Sequence, residues 1–572
     1  MRQGRTGVSA TRSQRAAVCA LAAAALAGTA AASPAQAMGT ATAAAVSVAP
    51  AGSLAFTTYS PPEDTAGAHT ADEPSIGADW NTGAVMYQAL YTTYRVSFDD
   101  SAKPAKASWT DVSPILTSQQ TLDPILYTDS STGRTVVSQL AGQCSISEYS
   151  DDDGASWTPD EGCGPPSGVD HQSVGGGPFA APLSANPVYP DAVYYCSQAV
   201  ATAFCAMSPD GGASFGPGVP IYSLAQCGGL HGHVRVAPDG TAIVPNQNCG
   251  PAPTTDGVTG NFTNQAAIVS TNNGASWTVN VIPDSVATVR SDPAAAADSA
   301  GRWYFAYESA LDNDSGEQVA GRAMVSTSSD DGSTWSPSVD VGAPFGLHNV
   351  TFPEIVAGDA GRAAYAFLGS TTAGDPENQT FQGLWYLYVA LTYDGGATWT
   401  VQNLTPGDPV ERGCIFLAGT GDCPSPDKRN LYDFNDITRD AQGHVLIGYS
   451  DGCTGTCDSQ QTAPCDDTAC DKGPTASTDH HAQIARLSCG RGLVAAQDSA
   501  LACGAVQAAA TASPVAGSTV VIPRSAVGAA TTPTPNTAGA LPQGGAAGGA
   551  AVVLGGLALA GVRRRRRSLR RG

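Results

Sequence analysis

The chain has 572 residues, rich in glycine (65) and proline (39), with a formal charge of −22. Eleven arginines sit in the first 15 and last ten residues, which carry no acid, so the stretch between them sets 17 basic groups against 50 acidic ones. A field of that sign repels nucleic acid and anionic membrane surfaces and excludes both as partners of the central stretch.

From the N-terminus, residues 1–37 read as a secretory signal. Arginines open it, an Ala/Leu-rich run spans Ala16 to Ala32, and Ala35-Gln36-Ala37 is the cleavage site. Residues 38–52 read as a flexible, small-residue lead-in without pattern. Export places the remaining fourteen cysteines in an oxidising compartment. Close sequential pairs are Cys144/Cys163, Cys196/Cys205, Cys227/Cys249, Cys414/Cys423 and Cys489/Cys503. Cys453, Cys457, Cys465 and Cys470 supply two more bridges of open connectivity. A zinc reading of that last cluster with His480 and His481 matches no ligand spacing, and disulfides account for the same cysteines. No metal and no cofactor are expected.

Residues 53–503 are repetitive. Ser150 to Trp157 reads SDDDGASW, and the octet returns at Ser208 to Phe215, Ser270 to Trp277, Ser328 to Trp335 and Thr392 to Trp399. A sixth, damaged copy starts at Ser97 and reaches Trp109 late. The shared pattern is Ser/Thr-x-Asp/Asn-x-Gly-x-Ser/Thr followed by an aromatic. Asp or Asn bonds its own backbone, Gly supplies a positive φ, and the aromatic anchors the turn. Between octets lies a strand, a glycine turn and another strand, as at Pro124-Ile125-Leu126 before Gly133 or Asp436-Ile437-Thr438 before Gly443. Each unit therefore reads as one four-stranded antiparallel blade. Repetition at roughly 50 to 65 residues indicates an all-β propeller. Seven first hairpins and six octet positions predict seven blades, with six as the alternative. The last unit lacks an outer strand, which Leu54 to Tyr59 can supply, closing the ring and removing the sheet edges.

The octets resemble the Asp-boxes of sialidase-like propellers, over roughly Ser53 to Cys489. In that family the Asp-box joins the third and fourth strands of a blade and is remote from the active site. The resemblance implies an exo-α-sialidase type of glycoside hydrolase: three arginines for the sugar carboxylate, a Tyr nucleophile activated by Glu, and an Asp as acid/base. Where that family carries Arg-Ile-Pro in its first blade, this chain has Glu73-Pro74-Ser75-Ile76.

Antiparallel blades put the octets and short glycine turns on one face, and the long loops on the other, which is the working face. Arg134, Arg302 and Arg362 follow turn glycines and belong to the octet face. Arg290, Arg412 and Arg429 fall on the working face and are the candidate substrate-binding residues. Glu73, Asp123, His171, His231, His233, Asp292, His348, Glu354 and Asp436 begin innermost strands and rim the central channel. The catalytic candidates are Asp123, Glu354 and Tyr432. Beside these stands a plainer reading, in which Arg412 and Arg429 brace a disulfide-stapled loop and the acidic strand starts accept backbone N–H bonds.

Residues 504–540 form an Ala/Pro/Thr/Gly-rich linker. Residues 541–572 run from Leu541-Pro542-Gln543-Gly544-Gly545 through an apolar stretch to Arg563–Arg567. This resembles a Gram-positive LPxTG-type sorting signal with Gly544 in the threonine position, and otherwise suits a short membrane anchor. The expectation is a monomeric propeller outside the cell, held at its surface. It acts on an extracellular glycan or glycoprotein, or alternatively serves as a non-catalytic glycan- or protein-binding module.

Overall fold

The computed structural model describes residues 44–503, apart from 120–121, 184–185, 187, 200–201, 251–262, 289, 313–317, 379–380, 416–429 and 455–479. The signal at 1–37, the linker, the anchor segment, Arg429, Cys423, Cys457, Cys465 and Cys470 lie outside the described residues.

Seven antiparallel blades of four principal strands form the molecule. The innermost strands begin at Ser75, Leu122, Asp170, Cys227, Ala294, Asn349 and Asp436, and the blades follow one another around a ring, the fourth meeting both neighbours through Arg235–Val236. We number the blades 1 to 7 in that order. The seventh is completed by Ala55–Tyr59, which pairs antiparallel with His481–Cys489, Phe56 opposite Leu487 and Tyr59 opposite Ile484. Residues from the two ends of the chain therefore share one sheet, and the ring has no open edge at its seam.

Two departures from the sequence reading concern blade 6. Residues 38–52 were expected to be a patternless lead-in, but Ala45–Val48 forms a strand parallel to Thr398–Asn403. The Ala-Val-Ser-Val alternation turns Val46 toward the apolar layer between blades 5 and 6. Glu411–Arg412, expected in a loop, pairs with Leu384 and Trp385.

The octets have one geometry. In blade 2, Ser150 Oγ accepts the Gly154 N–H at 2.8 Å, and Asp152 accepts both the N–H (2.8 Å) and the hydroxyl (2.7 Å) of Ser156. The serine or threonine contact to the glycine N–H repeats at 2.8, 3.0, 3.0 and 2.9 Å in blades 3 to 6. Gly154 sits at φ 79°, where a side chain would be strained and its Cβ would meet Val112 of blade 1. The aromatic reaches the preceding blade: Trp157 Nε1 donates to Val112 O at 2.7 Å, and Trp277 and Trp399 meet Tyr194 and Tyr304 edge-on at 6.3 Å. Each octet thus closes a turn and staples two blades.

Burial follows the same plan. Ile76, Val85 and Tyr87 of blade 1 pack on Leu446 and Ile484 of blade 7. Trp385, Leu387 and Val389 of blade 6 pack on Ile437, Ile447 and Leu487 of blade 7. Each such side chain contributes about 1.5–3 kcal/mol by leaving water. Disulfides Cys144–Cys163, Cys196–Cys205, Cys227–Cys249 and Cys489–Cys503 pair as expected, and Cys414 and Cys453 are also disulfide-bonded. Among the described residues, no helix is long and apolar enough to cross a membrane.

Candidate functional site

The innermost strands do not run straight into the channel. Register shifts interrupt them between Leu122 and Pro124, Asp170 and Ser173, Gly228 and His231, and Thr351 and Glu354. Positive φ angles mark Glu73 (49°), Asp123 (40°), His171 (49°) and Phe352 (54°). Proline follows three of these four, so the bulge falls where no backbone donor is available. A bulge of this kind re-aims the side chains beside it, and polar groups from several blades gather at the channel mouth.

Two linked clusters result. In the first, His171 Nε2 of blade 3 lies 2.6 Å from Asp292 Oδ2 at the start of blade 5, both largely buried. Burial pulls the imidazolium down, but Asp292 and the nearby acids outweigh it and carry His171 up to about 9. The His231 ring meets His171 edge-on at 5.4 Å, with Nδ1 2.9 Å from Gly232 O. Burial and the His171 charge push His231 down to about 4, so it is the neutral member of the pair.

In the second cluster, Arg235 of blade 4 reaches Asp436 of blade 7 at 3.3 Å and Glu354 of blade 6 at 3.9 Å. His233 Nδ1 stands 3.6 Å from Glu354 Oε1, with its ring edge-on to Phe434 at 4.6 Å. The two carboxylates differ in support. Asp436 accepts the Ile76 N–H at 2.9 Å and its neighbour Ile437's N–H at 2.8 Å, whereas Glu354 Oε2 is buried without a hydrogen bond. Burial raises both, Glu354 well above the usual carboxylate range, with Asp436 beside it raising it further and Arg235 opposing. Its two backbone donors and Arg235 make Asp436 the better-supported anion of the pair, and Glu354, with no donor on Oε2, the better place for a proton. Arg235 and Asp436 also line a cavity of about 180 Å³ along the channel, walled by Ile76, Tyr127, Val236 and Ile355. His233, Glu354 and Asp436 place donor atoms within 4.8 Å of one another, but the Arg235 guanidinium already supplies the positive charge there.

The other candidates are dispersed. Arg290 is buried and pairs with Asp375 at 2.9 Å and Glu377 at 4.0 Å. This engages the guanidinium with loop acids of the next blade, where a sugar carboxylate was expected. Arg412 is buried in its added strand beside Glu411, whose Oε1 accepts the Arg412 N–H at 2.8 Å. Asp123 accepts the His171 N–H at 2.9 Å, the backbone role that the plainer reading assigned to strand starts. Tyr432 sits at φ 53° with its ring edge-on to His480 at 5.5 Å. Arg134, by contrast, lies on the octet face as read, its Nε 2.6 Å from Asp151.

Arg235 and Phe434 were missed as site residues. A signal existed for the former: His231, His233 and Arg235 alternate along one stretch, the spacing of residues on one side of a strand, although the strand itself is interrupted between His231 and Arg235.

No family model and no curated protein matches the chain. Among solved structures, an ulvan lyase of a new polysaccharide lyase family, bound to a GlcA–sulfated rhamnose unit, is 11% identical at TM-score 0.38, covering 67% of this chain and 92% of that one. A Hadza microbial sialidase is 14% identical at 0.31 over 73% and 65%. A Penicillium chrysogenum α-L-arabinanase with arabinobiose is 12% identical at 0.34 over 78% and 98%. At TM-scores of 0.31 to 0.38 these likenesses carry no argument about this chain.

Proposed function

We propose that this chain is an exported, surface-attached, monomeric propeller that acts on extracellular glycans and cleaves a glycosidic bond at the mouth of its central channel. The observation that carries the reading is the meeting of Glu354, Asp436, Arg235 and His233 from three blades. Two neighbouring carboxyl groups whose surroundings separate their proton affinities form an acid and its ionised partner. Glu354, holding the proton, would donate it to the leaving glycosidic oxygen. Asp436, fixed by two backbone N–H groups and Arg235, would oppose the positive charge developing on the sugar ring and take the proton of the water that bonds to the anomeric carbon as the leaving oxygen departs.

The Asp-box-like turns support a sialidase-like ancestry for the scaffold. The engagement of Arg290 with Asp375 and Glu377 favours a neutral glycoside over a sialoside. Export and attachment rest on the character of residues 1–37 and 541–572. A second reading, a non-catalytic glycan-binding face, draws on the burial of Glu354, which is 4% exposed.

The test is a panel of aryl glycosides, sialoside included, and soluble polysaccharides, with the purified protein and its Glu354→Gln and Asp436→Asn variants. Turnover that Glu354→Gln lowers by about 10²–10⁴-fold, with the fold intact, is the expected result. Silence across the panel from folded, oxidised protein removes the hydrolase and shifts the assignment to binding; turnover that both variants leave unchanged removes Glu354 and Asp436 from the chemistry.

A further inference from the structure

Away from the channel cluster, a second group of donors lies at the seam of the ring. Glu63 and His69 belong to the segment leading into blade 1, and His481 is the first residue of the third strand of blade 7. His69 Nε2 stands 3.0 Å from Glu63 Oε2, and His481 Nε2 stands 3.8 Å from Glu63 Oε1. The two imidazoles stack at 4.8 Å with 16° between their planes. Both rings therefore present the same nitrogen to the two oxygens of one carboxylate, and the donor atoms all fall within 4.8 Å of one another.

The arrangement is held from behind. Ala71 N–H donates to His480 O at 2.7 Å, and Thr70 bridges His480 in parallel, which fixes the two segments side by side. His481 is buried, and the Gln483 side-chain amide meets its Nδ1 at 3.0 Å. The Gln483 amide nitrogen faces Nδ1 and donates to it, which leaves the ring proton on Nε2 toward Glu63. A cation on Nε2 displaces that proton to Nδ1, and a half-turn of the Gln483 amide then brings its oxygen to Nδ1 as the orienting acceptor of a metal-bound histidine. Two neutral imidazoles and a carboxylate suit a borderline divalent ion with a fourth, open position.

We propose that Glu63, His69 and His481 bind one zinc-class divalent cation, which clips the N-terminal segment to the last blade. This replaces the metal-free expectation drawn from the sequence. It uses none of the cysteines and none of the residues assigned to the channel mouth, so its fate is separate from that of the glycan site.

The test titrates the full, disulfide-intact protein, stripped with chelator, with Zn²⁺ in competition with a chromophoric chelator. One equivalent per chain is expected. His69→Ala and Glu63→Gln should each weaken it by at least the roughly 10–100-fold that loss of a mere orienting partner costs. Glu63 and His69 side chains are 76% and 42% exposed, so both variants keep the fold, as circular dichroism will show. No uptake of zinc, or uptake that neither variant weakens, overturns the proposal and leaves two histidine–glutamate ion pairs in its place.

Discussion

Replacing Arg235 with methionine keeps the length of the side chain and removes the charge that stands between Asp436 and Glu354. At an effective dielectric of about 20, the 3.3 Å separation from Asp436 corresponds to an attraction of about 5 kcal/mol, and the 3.9 Å separation from Glu354 adds about 4 kcal/mol only once Glu354 is ionised. Most of that offsets the cost of holding the ions out of water. Removing one partner of a buried pair typically costs about 3–5 kcal/mol, and with Arg235 27% exposed the lower end applies, near 3 kcal/mol. The loss depends on pH. Both carboxyls have folded-state proton affinities above their unfolded values, so the folded state binds more protons and its stability falls as pH rises above about 4. Without Arg235 both rise further. The deficit of Arg235→Met relative to wild type is therefore small near pH 4.5 and reaches its full size by pH 8. Guanidinium unfolding followed by tryptophan fluorescence at pH 4.5, 6 and 8 measures it. A deficit that is equal at pH 4.5 and 8, or under about 1 kcal/mol at pH 8, refutes the account of Arg235 as the counter-charge of a proton-sharing pair.

The octets provide an internal comparison. Asp330 accepts the Thr334 N–H, the Thr334 hydroxyl and the Ser328 hydroxyl at 2.9, 2.6 and 2.8 Å. Asp330→Ala should cost about 1–2 kcal/mol at this exposed turn, whereas Asp330→Asn, which copies Asn272, should cost only a few tenths. The Thr334 hydrogen bonds hold the Asp330 carboxyl below its usual range. The advantage of Asp over Asn is therefore present above the unfolded value and vanishes as pH falls through the folded one; a gap between the two variants that persists at pH 2 contradicts this. At the channel mouth, histidine-selective NMR should find His171 protonated until about pH 9 and His231 neutral down to about pH 4. The stabilisation from His171 is full below about 6.5 and lost as pH rises through 9. In Asp292→Asn the His171 transition should fall by more than one pH unit, and a transition that stays put would assign the shift elsewhere.

What could be read in advance was what repeats locally. Ser150, Asp152 and Gly154 close their turn within five residues, and Cys196 and Cys205 face each other on adjacent strands, so short-range pattern carried the blades and these bridges. The missing outer strand of blade 7 implied Leu54 to Tyr59 by count alone, and the strand Ala55–Tyr59 fills it. The site is different in kind. Glu354, Asp436 and Arg235 meet because a ring returns on itself, and no periodicity states which strand starts a bulge will turn inward. Arg290 was selected for its face, but Asp375, 85 residues on, decides what it touches. The Ala45–Val48 strand is too short and small to stand out from the alanine-rich stretch before it.

The seam has a consequence for the order of assembly. Ser488 bonds Ala55 across a separation of 433 residues, so one of the first strands made has no partner until nearly the whole ring exists. Cys144–Cys163, Cys196–Cys205 and Cys227–Cys249 span only 9 to 22 residues, and each can lock within or beside its own blade long before then, whereas Cys489–Cys503 must wait for the last strand. Synthesis therefore delivers three blades braced by their own bridges among unbraced neighbours, with a waiting end that only the last strand can pair. The slow step is the meeting of two chain ends rather than the folding of any blade.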